Sequence, residues 1–346
     1  MLNKVIIFFR KIFYLFKKKF VLRAKHTIKD SEISANQINH KIKVELKINR
    51  NFIELERYEN FFNFLQHLGL WRNFIILTSY DNLMLSGSHF RPLIINKNND
   101  KLIIFCHGVT SNRWSLFYCV HLVLQLGYQV IIYDARGHGY SGRKKTSLGR
   151  LESRDLEDII HWANKNCRIS QIGLYGFSMG ASTCLFWLSS FQEKHPEIKF
   201  IICESPFDEL SKQFQHASGA TNPNSWRYLI SLKFLRYLIP TEDRLMEIAP
   251  ISSLPNSLSI KLLLLHGTED ATISWKATEN IWKKCRQNPL NKKYVNAYFF
   301  LEADHGELPF IGDALIGKLR WIQNRQRSSQ FQTFTELLTA FLKKNF

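Results

Sequence analysis

Residues 169–175 run directly into Gly176-Phe177-Ser178-Met179-Gly180, and that pentapeptide runs directly into the apolar stretch 181–191. The first segment reads as a buried strand and the last as a helix, so a GxSxG motif occupies the turn between them. An isolated GxSxG is a weak signal, because a serine ahead of a helix is by default a cap. Between a strand and a helix it acquires a mechanical meaning. The chain must turn sharply, the glycines permit close backbone approach, and Ser178 is presented at the carboxyl end of the strand as a candidate nucleophile.

Outward from this turn, strands and helices alternate. Residues 74–78 and 83–90 flank Asp81-Asn82, a hairpin signal. Short apolar runs at 102–106, 129–133, 200–203, 261–265 and 295–301 read as strands covered on both faces. Helical stretches at 114–126 (ending at Gly127), 156–164, 275–285 and 313–323 separate them. This order predicts an α/β fold with a mainly parallel, doubly wound sheet. No internal repeat or Pro/Gly-rich linker divides residues 74–325, which we read as one catalytic domain. Residues 207–254 are too long for a simple crossover. We read them as a small helical cap over the site, with apolar pieces around 226–238; an ordinary packed insertion is the competing reading. In 326–346, Phe331, Phe334, Leu337, Leu338 and Phe341 line one face of a terminal amphipathic helix expected to dock on the core.

A serine hydroxyl is a poor nucleophile near neutral pH and needs a base within reach and a carboxylate to orient that base. Asp270 follows the strand at 261–265 in His266-Gly267-Thr268-Glu269-Asp270, and His305 follows the strand at 295–301 in Ala303-Asp304-His305-Gly306-Glu307. The chain order Ser, Asp, His and three strand-end placements agree. Glu269 is the main rival to Asp270, Glu204 in Cys203-Glu204-Ser205-Pro206-Phe207 is another, and Asp304 and His266 are adjacent groups of the same kinds. Acyl transfer also needs donors for the developing oxyanion. His107-Gly108-Val109 follows the strand at 102–106, so the Val109 and Met179 backbone N–H groups are the candidates. His107 is expected to brace its loop.

Composition limits the rest. With 346 residues, 45% hydrophobic and 22% charged, the chain is long and apolar enough for a full core, which excludes a disordered or low-complexity protein. Its six cysteines show no CxxC pairing, which argues against a zinc site or a disulfide framework. The formal net charge is +18, and eight cations with no acid fall in residues 1–25, where Leu2, Val5, Ile6, Phe9, Ile12, Phe13, Phe16 and Phe20 form one apolar helical stripe. No apolar run there approaches the ~20 residues of a membrane span. The segment reads as an amphipathic anchor for an anionic membrane surface, against docking on its own domain. Residues 26–73 read as an N-terminal helical extension. No nucleic-acid motif accompanies the charge, so no nucleic-acid partner is expected. The lack of a cleavage site and the unpaired cysteines place the protein in the cytoplasm, with the inner membrane face as the surface for peripheral binding.

Taken together, His107-Gly108, DARGHGYSG from Asp134 to Gly142, GFSMG from Gly176 to Gly180, ESPF from Glu204 to Phe207, HGTED from His266 to Asp270 and ADHGE from Ala303 to Glu307 resemble the α/β-hydrolase-fold serine hydrolases. The likeness extends to serine-aminopeptidase-like and monoacylglycerol-lipase-like bacterial enzymes and to membrane-associated depalmitoylases. It implies an eight-stranded, mostly parallel sheet whose second strand is antiparallel. It also implies nucleophile, acid and base roles for Ser178, Asp270 and His305, oxyanion amides at Val109 and Met179, and structural roles for Arg136 and His138. The expected activity is hydrolysis of carboxylic esters of lipid-like or acylated substrates through an acyl-enzyme, without a metal or organic cofactor. A thioesterase or small-peptide hydrolase would use the same apparatus, and a catalytically silent membrane scaffold is the non-enzyme alternative.

Overall fold

A strand buried on both faces leaves no place for polar alternation, and the central strands follow that rule. In a computed structural model, which describes residues 70–92, 94, 96–218, 229, 247–309, 319–320 and 333–346, one sheet holds a two-residue ninth strand and eight longer ones. They are β1 (Trp71–Leu77), β2 (Met84–Phe90), β3 (Lys101–Cys106), β4 (Gln129–Tyr133), β5 (Gln171–Phe177), β6 (Ile198–Glu204), β7 (Lys261–Gly267) and β8 (Val295–Phe300). Every residue of β4 is buried, whereas β1 at the sheet's edge exposes Ile75 and Leu77. The order is β1-β2-β4-β3-β5-β6-β7-β8. β2 runs antiparallel to β4, and β3 through β8 are joined in parallel. The Asp81-Asn82 turn forms as expected: Asn82 takes a φ of 52°, and the Thr78 hydroxyl donates to Asp81 Oδ1 at 2.7 Å.

The helices are α1 (Phe117–Gln125), α2 (Arg150–Asn166), α3 (Met179–Phe191), α4 (Leu210–Ser218), α5 (Trp275–Cys285) and α6 (Phe334–Asn345). A 3₁₀ turn, Arg113–Leu116, precedes α1, with Asn112 accepting the Trp114 N–H at 2.9 Å, so the stretch read as one helix from 114 begins as a tighter turn. The chain leaves α1 at Gly127, whose φ of 89° suits a residue without a Cβ. Leu156, Ile159 and Ile160 of α2 and Leu185, Trp187 and Leu188 of α3 share one core cluster with β3, β5, β6 and β7. Helix α6 docks as its stripe predicts. Phe334, Leu337, Leu338 and Leu342 are buried, Phe341 meets Phe200 edge-on at 5.3 Å, and Lys101 donates to the Phe346 carbonyl at 2.7 Å. Burying a Phe of this kind contributes about 1.5–3 kcal/mol. All six cysteines are buried free thiols.

One expectation fails. Residues 319–320, read as part of a helix over 313–323, form a two-residue strand β9 (Leu319–Arg320), antiparallel to β8 through Phe299↔Arg320 and Phe300↔Leu319. Without it β8 would be an edge with unpaired amides, and closing that edge outweighs the local helical period. The other residues of that reading, the helical pieces at 226–238 apart from residue 229, the terminal Phe331 and all of 1–69 lie outside the described residues. Contacts divide the chain into two units, Met1–Arg72 and Asn73–Phe346, and the site lies wholly in the second. No helix among the described residues is long and apolar enough to cross a membrane.

Candidate active site

Four adjacent parallel strands, β5, β6, β7 and β8, end at one edge, and the chain leaves each of them into a loop that carries a polar group. The turn after β5 is strained. Ser178 has φ 54° and ψ −114°, outside the regions an L-residue ordinarily occupies. The surroundings hold it there: the Ser178 N–H donates to the Glu204 carbonyl at 2.8 Å, and its carbonyl accepts the Ser182 N–H at 3.1 Å. A Cβ on Gly180 would collide with the Cys106 carbonyl, so α3 crosses β3 only because that residue is glycine.

Asp270 and His305 meet. The His305 Nδ1–H donates to Asp270 Oδ2 at 2.7 Å, while Asp270 Oδ1 accepts the Thr272 and Ile273 N–H groups at 2.9 and 2.8 Å. Burial opposes the charge on Asp270, but the His305 charge and the bonds from His266 and His305 hold its carboxyl well below the usual carboxylate range. On His305 burial disfavours the imidazolium, yet Asp270, with Glu204 and Asp304 behind it, raises the ring above its ordinary value. Glu269 is exposed and takes no part in this contact. The His305 ring packs against Phe177, the residue before Ser178, with centroids 4.9 Å apart. The imidazole and the serine therefore occupy the same edge of the sheet.

The loop after β3 runs against the serine: a Cβ on Gly108 would lie 3.4 Å from the Ser178 Cβ. Val109 follows in this loop and packs with the cluster that holds Met179, the first residue of α3. Amides at a helix N-terminus have no partner within the helix. His107 braces the loop as expected, its Nδ1–H donating to the Gly108 carbonyl at 2.7 Å and its Nε2 accepting the Ala135 N–H at 3.0 Å. His138 Nε2 accepts the Thr110 N–H at 3.2 Å. Arg136 makes a buried two-point contact with Asp155, at 2.8 and 2.6 Å, which holds the guanidinium charged. His266 donates toward the Ile273 carbonyl at 3.0 Å and Asp270 Oδ2 at 3.2 Å, supporting the turn that carries the acid.

The sequence motifs leave the partners of two groups at this edge unassigned. Glu204, weighed as an alternative acid, does not bond His305; its carboxylate accepts the Tyr175 hydroxyl. Complete burial raises its pKa to about 7, against the Tyr175 bond and the His305 charge and with the Asp270 charge adding to the rise. Tyr175 carries no local signal, since in the sequence it ends an apolar strand. The second group is on α4, where the Gln213 amide oxygen accepts the Ser274 N–H at 2.8 Å and His216 Nε2 reaches the Asp270 carbonyl at 3.3 Å. Phe207, Leu210 and Ile248, from the two described ends of the expected cap, pack in the cluster with Met179 and Ile273.

Known proteins are similar to this chain. A family model for the alpha/beta hydrolase fold matches residues 101–221. The Bacillus subtilis (strain 168) protein YqkD is 32% identical over 215 residues, covering 62% of this chain and 68% of YqkD. Probable dipeptidyl-aminopeptidase B of Aspergillus oryzae is 25% identical over 233 residues, 63% of this chain but 23% of that protein. Among solved structures, the Pyrococcus furiosus esterase Pf2001 superimposes with a TM-score of 0.54 at 27% identity, covering 69% of this chain and 86% of the esterase. A strained serine between a parallel strand and a helix, with the matched segment around it and the shared sequence beyond, settles the relationship: the chain belongs to the α/β-hydrolase fold family.

Proposed function

We propose that the protein is a serine hydrolase that cleaves carboxylic esters of lipid-like or acylated substrates through Ser178, His305 and Asp270. The observation that carries this reading is the 2.7 Å bond from His305 Nδ1 to Asp270 Oδ2, made at the same sheet edge as the strained Ser178. The carboxylate can only accept, so the proton resides on Nδ1 and Nε2 is the nitrogen that takes the serine proton. Ser178 Oγ attacks the acyl carbon, and the oxyanion is held by the Val109 and Met179 N–H groups. The tetrahedral intermediate collapses as His305 returns the proton to the leaving alcohol. Water then attacks the acyl-enzyme by the same route and frees the acid and the serine.

The likeness to the esterase Pf2001, covered over 86% of its length, favours an ester over a peptide. The likeness to a dipeptidyl-aminopeptidase keeps aminopeptidase activity as a second reading. A panel of p-nitrophenyl esters of increasing chain length, run beside acyl thioesters and aminoacyl p-nitroanilides, separates them. Ester turnover abolished by Ser178→Ala supports the proposal; turnover of the anilides alone would replace it with the peptidase reading. Residues 1–25 are proposed to hold the enzyme on an anionic membrane. Their deletion should weaken binding to phosphatidylserine liposomes and reduce its salt sensitivity. Equal binding by both forms would remove that part of the proposal.

A further inference from the structure

The amino ends of the strands hold a second cluster of ionisable groups, at the opposite end of the strands from Ser178. It joins α2 to the loop between α3 and β6. Glu157 and His161 sit one turn apart on α2, and His195 follows the short 3₁₀ turn Gln192–Lys194 that ends α3. His195 Nε2 lies 2.8 Å and His161 Nε2 3.5 Å from the same oxygen, Glu157 Oε1. One ligand atom from each of the three residues falls within 4.8 Å of the others.

The surroundings are those of a built site. The other Glu157 oxygen accepts the Trp187 indole N–H at 2.8 Å, which fixes the carboxylate. His195 Nδ1 lies 2.8 Å from Glu197 Oε1, and that oxygen also accepts the Asn164 amide at 2.7 Å. A histidine whose far nitrogen is held by a carboxylate is the usual supporting arrangement of a metal ligand. Tetrahedral zinc, with bonds of ~2.0–2.1 Å, spaces its ligands by ~3.4 Å, and the two measured separations bracket that value. An ion-pair cluster explains His195 between two carboxylates. The one-turn spacing on α2 brings His161, 63% exposed, to the same oxygen, so two imidazole nitrogens and one carboxylate oxygen converge where a metal could replace the protons.

We propose that Glu157, His161 and His195 form a site for a divalent transition metal of the zinc type, with Glu197 orienting His195 and the exposed side of His161 leaving room for a water as fourth ligand. Two imidazoles and one carboxylate are a donor set for zinc, nickel or copper rather than for calcium or magnesium. The metal would fasten α2 to the chain entering β6. Its distance from the serine edge is about the length of that seven-residue strand, roughly 20 Å, so it acts as a fastening and takes no part in the reaction. The cysteine pattern gave no hint of it because no thiol is used.

The test is titration of untagged, metal-stripped full-length protein with zinc chloride, followed by calorimetry and by unfolding temperature, and with cobalt(II), followed by its visible absorption. The wild type should take up one zinc equivalent that raises the unfolding temperature and should give a four-coordinate cobalt spectrum. His161→Ala should lose that equivalent, and Glu197→Gln should bind it about 10- to 100-fold more weakly. His161→Gln is a second variant should the alanine form fold poorly, as judged by circular dichroism. No uptake by the wild type, or a change below tenfold on replacing His161, overturns the proposal and leaves an ion-pair cluster only.

Discussion

Each end of the sheet sets a histidine among carboxylates, and the two are connected differently. At the carboxyl end, His305 gives Nδ1 to Asp270 and packs its ring beside the residue preceding Ser178. At the amino end, His195 meets a carboxylate through both nitrogens, Glu197 at Nδ1 and Glu157 at Nε2, each at 2.8 Å. Both rings are raised above the ordinary histidine value against the opposing effect of burial, His305 by Asp270 and His195 by Glu197 and Glu157. A raised pKa therefore does not identify a base. Proton transfer to a substrate also requires one ring nitrogen that no carboxylate occupies and a hydroxyl at the same edge. Only the carboxyl end combines the single-sided pairing with a serine in a strained turn.

Substitutions of three buried carboxyl groups sharpen this contrast, from the largest effect to the smallest. Asp270→Asn should lower kcat for an ester by about ten thousand-fold, since the amide favours the wrong tautomer of His305. Circular dichroism and unfolding should show a folded protein, and a loss below tenfold would assign the acid elsewhere. Asp155→Asn should act on stability, because it breaks the two-point contact of the buried Arg136 guanidinium and leaves it the Asp81 pairing at 3.3 Å. We expect a loss of about 3–5 kcal/mol in urea unfolding, and an unchanged midpoint would mean that Arg136 has another adequate partner. Glu204→Gln should act on pH dependence. An ionised Glu204 raises the His305 pKa, so removing it lowers that pKa, and the acid limb of kcat/KM should move to lower pH by less than about one unit. A limb that stays in place or moves upward would show that Glu204 is neutral across the working range.

Much of the carboxyl edge is legible in the sequence. The central strands are continuous apolar runs that allow few other readings, and Ser178, Asp270 and His305 each sit within a few residues of a strand end. What escaped depends on pairing between strands or on segments far apart. Tyr175 pairs with Ile202, which places Glu204, two residues on, toward the same face; the Tyr175–Glu204 bond follows from that register and from nothing local. Leu319 and Arg320 lie in a helical pattern, and the open edge of β8 recruits them as strand. His161 and His195 carry no shared motif, and only the packing of α2 against the α3–β6 loop brings them together. His107, His138 and Arg136 were legible as supports, because each follows or precedes a glycine in a tight loop at the sheet edge.

The central claim is that Ser178 is the hydroxyl activated at this edge. Treatment of the intact protein with a fluorophosphonate, followed by peptide mass spectrometry, addresses it directly. A single phosphonyl adduct is expected on Ser178, absent in Ser178→Ala and formed much more slowly in His305→Ala. An unlabelled protein, or an adduct on another residue at the same rate in both variants, would contradict it.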